Sequence, residues 1–150
     1  MEHHDHASTP HLPGLGVYAA EIEVHPFSPA SEQTCRRLIC TFVERLAASA
    51  VADGATVIGH IKAVLQSHDG GYLYAGATSG HESVRCQGEL AGQHADLKLA
   101  VNALVFGVEG DRLRLAVYVT AIGLAYEFGF RFEISDSTEA QSHPDVQGPP

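Results

Sequence analysis

Residues 31–54, SEQTCRRLICTFVERLAASAVADG, decide the fold class. Cys35, Leu38, Ile39, Phe42, Val43, Leu46, Ala47, Ala50 and Val51 recur three and four positions apart, the repeat of a single helical face. Arg36, Arg37, Thr41, Glu44, Arg45 and Ser49 take the opposite face. Ser31 is placed to cap the first turn, and Glu32 puts negative charge where the unpaired N–H groups and the helix dipole favour it. Asp53-Gly54 supplies the stop. The stretch therefore predicts an amphipathic helix of about 22 residues, roughly 33 Å long at 1.5 Å per residue.

On both sides of this helix the apolar repeat has a period of two. Before it, Gly16–Val24 reads as a strand with Tyr18, Ala20, Ile22 and Val24 on one side and Glu21 and Glu23 on the other; Pro26 and Pro29 end it. After it, Thr56–Ser67 sets Val57, Gly59, Ile61, Ala63 and Leu65 against Ile58, His60, Lys62, Val64 and Gln66. His68-Asp69-Gly70-Gly71 is a hairpin turn into Tyr72–Ser79, and Gly80-His81-Glu82 turns again into Ser83–Leu90. In these two strands Tyr72, Tyr74, Thr78, Arg85, Gln87 and Glu89 point outward, and Cys86 points to the core. A looser Ala91–Ala95 segment precedes Asp96–Val108, where Leu97, Leu99, Val101, Ala103 and Val105 share a face. Glu109-Gly110-Asp111 reads as another hairpin turn, leading to a strand Arg112–Ile122 with Leu113, Leu115, Val117 and Val119 inward. A final aromatic stripe runs through Leu124, Tyr126, Phe128, Phe130, Phe132 and Ile134.

Alternation joined by short glycine turns means an antiparallel meander. The expected fold is thus α+β, in the order β-α-β-β-β-β-β, with one long helix packed on a curved antiparallel sheet of about six strands. This order resembles the hot-dog layout and also cystatin-like layouts in which a sheet wraps a helix. The resemblance is one of topology, and no motif of the hot-dog thioesterases or dehydratases carries over. Residues 15–134 are expected to form a single domain, between a flexible His-rich tail (1–14) and a flexible polar tail (135–150) with almost nothing to bury.

A single helix covers only part of a six-stranded face, so the sheet must curl or meet another subunit. The outward side of Asp96–Val108 carries Ala100, Leu104, Phe106 and Val108, which predicts a homo-oligomer. The 150 residues carry 9 Lys+Arg against 18 Asp+Glu, a formal charge of -9. That balance argues against a nucleic-acid or anionic-membrane partner, both of which need positive surface. No apolar run approaches the length of a membrane span. Cys35, Cys40 and Cys86 form no C-x-x-C pair and give neither a disulfide framework nor a thiolate zinc site. The N-terminus lacks the basic start and apolar stretch of a signal peptide, so the expected location is cytoplasmic.

Three groups of residues carry chemistry. His3, His4, His6 and His11, with Asp5 among them, could hold a divalent transition metal, because neutral imidazole suits Ni²⁺, Zn²⁺ and Cu²⁺. A second group lies across three strands. If Gln66 pairs with Tyr72, His60 falls opposite Thr78, and the next turn places Arg85 opposite Thr78, with Lys62 nearby. These four would form a cationic patch for a carboxylate or phosphate, arginine acting as a planar fork. The preferred reading is an accessory or binding protein that uses this sheet face for a small anionic ligand or a protein partner. The third group belongs to a hot-dog-like enzyme acting on an acyl thioester, with Glu32 or Asp96 as acid and His60 as base.

Overall fold

Strand β1 (Leu15–Pro26) alternates buried Tyr18, Ala20, Ile22 and Val24 with outward side chains, as its period of two requires. The computed structural model describes residues 14–79 and 83–137. The two-residue β2 (Ala30–Ser31) leads into α1 (Glu32–Ala52), where the Ser31 hydroxyl accepts a hydrogen bond from the Thr34 N–H at 3.2 Å. Asp53 caps the other end through its N–H to the Ser49 carbonyl at 3.0 Å. The buried stripe of α1 is the one its sequence predicts, except that Val51 is exposed.

Four strands follow: β3 (Val57–Ser67), β4 (Tyr72–Ala77), β5 (Arg85–Glu89) and β6 (Gln93–His94). Then come β7 (Leu97–Phe106), α2 (Gly110–Phe128) and β8 (Phe130–Asp136). Six strands build one antiparallel sheet in the order β5-β4-β3-β7-β1-β8. The short β2 and β6 pair separately, Ala30 with His94 and Ser31 with Gln93, beside the start of α1. The fold is α+β, as expected.

The second helix is a correction. Residues 112–122 are not a strand, and 109–111 are not a hairpin turn: Glu109 is the N-cap of α2. Leu113, Ala116, Val117, Thr120, Ala121 and Leu124 are buried at three-and-four spacing, whereas Leu115 and Val119 are exposed. Apolar residues on every side of this segment let a period of two be read through it, and periodicity alone does not separate those cases. Gly129, at φ +74°, ends the helix with its N–H on the Ala125 carbonyl at 3.0 Å. Only Phe130, Phe132 and Ile134 of the aromatic stripe therefore alternate on a strand.

Both helices lie on one face of the sheet. Helix α1 packs over β3 and β4, α2 packs over β1 and β8, and the helices touch each other. Together they cover the face that one helix could not. The core between the layers is filled by Phe42, Ile39, Leu46, Ile22, Ile61, Leu65 and Leu113 among others. Strand β8 runs past residue 134 because Asp136 has partners there. The Tyr18 hydroxyl donates to its carboxylate, and Arg114 Nε lies 3.1 Å from it. Burial first, and then this carboxylate, push the Tyr18 phenol well above the usual tyrosine range.

Strand β3 also corrects the expected alternation. Ile58 pairs with Val105 and His60 with Leu104, which leaves Gly59 as the extra residue of a bulge. Ile58 and Ile61 consequently share the core side, Val57 is exposed, and His60 turns outward. A Cβ on Gly59 would sit 2.4 Å from Leu104 Cδ2 and 2.9 Å from the Leu104 carbonyl oxygen. Gly59→Ala is accordingly expected to cost about 1–3 kcal/mol through overpacking, read from the urea midpoint. An unchanged midpoint would show that the bulge does not need the missing Cβ.

On the open face, Ala100, Leu104 and Phe106 are only half-exposed, and Leu104 fills the space above Gly59. Val108 is buried in the core, because the chain turns at Gly107 (φ +93°) after β7. The apolar patch expected on that strand is thus smaller than its sequence suggests.

Candidate functional site

The open face carries a concavity of about 390 Å³ over β3, β4 and β5. Its floor is Gly76. In the ladder Gly76 pairs with Lys62 on one side and Arg85 on the other, so two cationic side chains flank a position that has none. With neighbouring strands about 4.8 Å apart, the two cationic residues stand on backbones roughly 10 Å apart, and both arms are long enough to close on a ligand between them. Among the described residues, Lys62 and Arg85 have no ion-pair partner, and no carboxylate lines the concavity.

The Tyr74 side chain lies along β4 and brings its hydroxyl within 2.5 Å of where a Gly76 Cβ would be. An aromatic ring thus covers the glycine and supplies a hydroxyl to the same hollow. His60, aimed outward by the Gly59 bulge, forms one wall with Thr78, while Ser83 and Gln87 stand on the β5 side. Glu21, Glu23 and Glu133 of this face lie toward the other edge, where Lys98 lies 3.9 Å from Glu21, while Glu89 stands at the far end of β5 from Arg85, opposite Tyr72. Among the described residues, those that line the concavity include the cations Lys62 and Arg85 and no acidic side chain.

All four residues expected to bind an anion, His60, Lys62, Thr78 and Arg85, line this concavity. The Gln66–Tyr72 pairing is as expected and extends to Ile61–Ala77. The second hairpin differs: Arg85 pairs with Gly76 rather than lying opposite Thr78. Strand β4 ends at Ala77 and β5 begins only at Arg85, a longer connection than the expected tight turn. The shift is two residues, and since side chains alternate with period two, Arg85 keeps its face. Tyr74, Gly76, Ser83 and Gln87 were not singled out from sequence. Tyr74 and Gln87 have the same outward parity as Thr78 and Arg85, so the signal was present in the alternation.

The three enzymatic candidates do not meet. Glu32 sits at the start of α1, in the helical layer, and accepts the Leu90 N–H at 2.8 Å and Arg36 Nη2 at 3.3 Å. Asp96, before β7, is held by His25 Nδ1 at 2.7 Å. His60 lies on the opposite face from Glu32, in the concavity. Glu32 thus fastens the end of β5 to α1, aided by Arg36, which donates to the Gly88 carbonyl at 3.0 Å and to Cys86 Sγ at 3.7 Å. The thiols are no better placed for nucleophilic work. Burial pushes Cys35 up to about 11, and burial together with the neighbouring Cys86 pushes Cys40 up to about 12. Cys86 is half-buried rather than fully in the core.

The Leu90 N–H, and then the Arg36 guanidinium, hold the Glu32 carboxyl below its ordinary value of 4.5. A carboxylate depressed in the folded state contributes stability that is complete above its unfolded value and lost as pH falls through the folded one. Melting temperature is therefore expected to fall on acidification below pH 4.5, and Glu32→Gln is expected to flatten that part of the curve. Parallel curves for the two proteins would remove Glu32 from the acid response.

A second concavity, about 460 Å³, lies beside Asp111, Arg114, Leu115 and Tyr118. Its guanidinium is already engaged by Asp136, and it stacks 5.7 Å above the Tyr118 ring, so it offers less to an incoming anion. Among the described residues no three His, Cys, Asp or Glu side chains cluster to hold a metal. The histidines His3, His4, His6 and His11 lie outside the described residues, as do most of both expected tails. No helix among the described residues is long and apolar enough to cross a membrane. Comparison of this chain with protein families, with curated proteins and with solved structures finds no match.

Proposed function

We propose that this protein binds a small anionic ligand, a carboxylate or phosphate on a compact polar body, in the concavity over Gly76. One observation carries the reading: Lys62 and Arg85 flank a residue without a side chain and have no counter-ion among the described residues. Lys62 and Arg85 are both exposed and carry like charge on one face, so they repel each other, and an anion bound between them relieves that repulsion. Arg85 provides the fork for two oxygens, Lys62 a point charge, and Tyr74, Thr78, Ser83 and Gln87 hydrogen-bonding groups around the rest. The volume is that of a small-molecule site. Reduced cysteines suit a cytoplasmic setting.

The test is a titration of the full-length protein with inorganic phosphate, acetate and succinate, followed by amide chemical shifts. The expected result is saturable shifts confined to β3, β4 and β5 that weaken as salt is raised. Shifts scattered over the surface, or none with any of the three, would reject the reading.

A further inference from the structure

Side chains alternate along β5, so Cys86 faces the helical layer while Arg85 and Gln87 face the open side. Helix α1 packs against β5 in that layer, and on α1 Cys40 follows Arg36 by one turn. Three groups meet there. The Cys40 thiol hydrogen-bonds to Cys86, and Arg36 Nη1 donates to Cys86 Sγ at 3.7 Å. Glu32 and the Gly88 carbonyl hold the same guanidinium, which keeps it against the sulfur. Two thiols far apart in the chain are thus brought together by the packing of α1 on the edge of the sheet. Both are half-buried, within reach of a small solute, whereas Cys35 is fully buried.

We propose that Cys40 and Cys86 form a dithiol site that hydrogen peroxide oxidises to a reversible disulfide, stapling β5 to α1. Cys86 is the sulfur with a cation against it, and the thiolate is the form that attacks an oxidant. Its electron pair goes to one peroxide oxygen and the O–O bond breaks. Cys86 becomes a sulfenic acid, and the departing hydroxide takes up a proton to leave as water. The Cys40 sulfur then attacks the Cys86 sulfur. The S–S bond forms as the S–O bond breaks, and the Cys40 proton leaves with that hydroxide as a second water. Two thiols give up two electrons, and one peroxide accepts them. No strongly activated thiol is needed, because the second step joins sulfurs already in contact. In a reducing compartment such a bond is transient and follows the supply of oxidant. It forms on the helical side of β5 and so stands independently of the proposed ligand site.

The test treats the full-length protein with a small excess of hydrogen peroxide, counts free thiols after unfolding, weighs the intact chain and maps the linkage by peptide mass. The reduced chain has three thiols. After oxidation only Cys35 is expected to remain free, with the mass lower by two hydrogens and Cys40 linked to Cys86. Dithiothreitol should restore all three. Cys35→Ser should still form the bond, whereas Cys40→Ser and Cys86→Ser should not, and Cys40→Ser should instead gain oxygen on Cys86. A disulfide restricts the unfolded chain, so the oxidised protein should melt several degrees above the reduced one. Three thiols still free, a parent chain that gains oxygen on cysteine without losing two hydrogens, or a bond that maps to Cys35 or between chains would overturn the proposal. An unchanged melting temperature would overturn the stapling of β5.

Discussion

Replacing Lys62 and Arg85 together with alanine is expected to abolish the proposed anion binding while the fold stays intact. Each cation hydrogen-bonded to an anion is worth about 1.5–3 kcal/mol, so each single change is expected to weaken binding by about 10- to 100-fold. The double variant removes both and leaves only neutral donors, which brings a millimolar anion beyond measurable range. Neither residue has an ion-pair partner among the described residues, and both point away from the core, so the melting temperature should move by less than a few degrees. Calorimetric titration with phosphate, paired with thermal melts, reads both quantities. Retained binding in the double variant would place the anion elsewhere, and a collapse in melting temperature would make the pair structural.

The largest loss of stability is expected at Phe42. Its side chain is 1% exposed on the buried stripe of α1, in the layer shared by helix and sheet. Phe42→Ala removes a ring from a closely packed interior and leaves a cavity that the sheet, locked by its ladders, cannot close. The expected cost is about 3–5 kcal/mol, roughly a fifth or more of the stability of an ordinary domain. Phe42→Leu keeps most of the volume and should cost far less. Urea unfolding of the three proteins checks the order. Equal midpoints for Ala and parent would mean that α1 does not rest on the sheet as described.

Much of the candidate site was legible because its parts sit on strands with unambiguous alternation. His68-Asp69-Gly70-Gly71 joins β3 to β4 so tightly that the pairing of Gln66 with Tyr72 follows from it, and Lys62 is then fixed opposite Gly76. The connection from β4 to β5 has no such constraint, and there the expected register was off by two residues. The site survived that error because two is the strand's own period. A slip of one would have turned Arg85 to the helical side. The Gly59 bulge was hidden for a different reason. The space it needs is bounded by Leu104, on a strand more than 40 residues later, which no local pattern contains.

The amphipathic repeat of 32–52, its serine cap and its Asp-Gly stop determined α1 by themselves, because capping and burial periodicity act between neighbours in the chain. The same holds for the strands whose polar and apolar residues alternate cleanly. Residues 110–128 are apolar on nearly every side, so helix and strand would each bury a plausible set of side chains, and the choice fell to what the sheet left uncovered. Half of its inner face, over β1 and β8, needed a partner, and a helix presenting Leu113, Ala116, Val117, Ala121 and Leu124 closes that gap. Tertiary packing alone made that decision, and with it left Leu115, Val119, Ile122 and Tyr126 facing water.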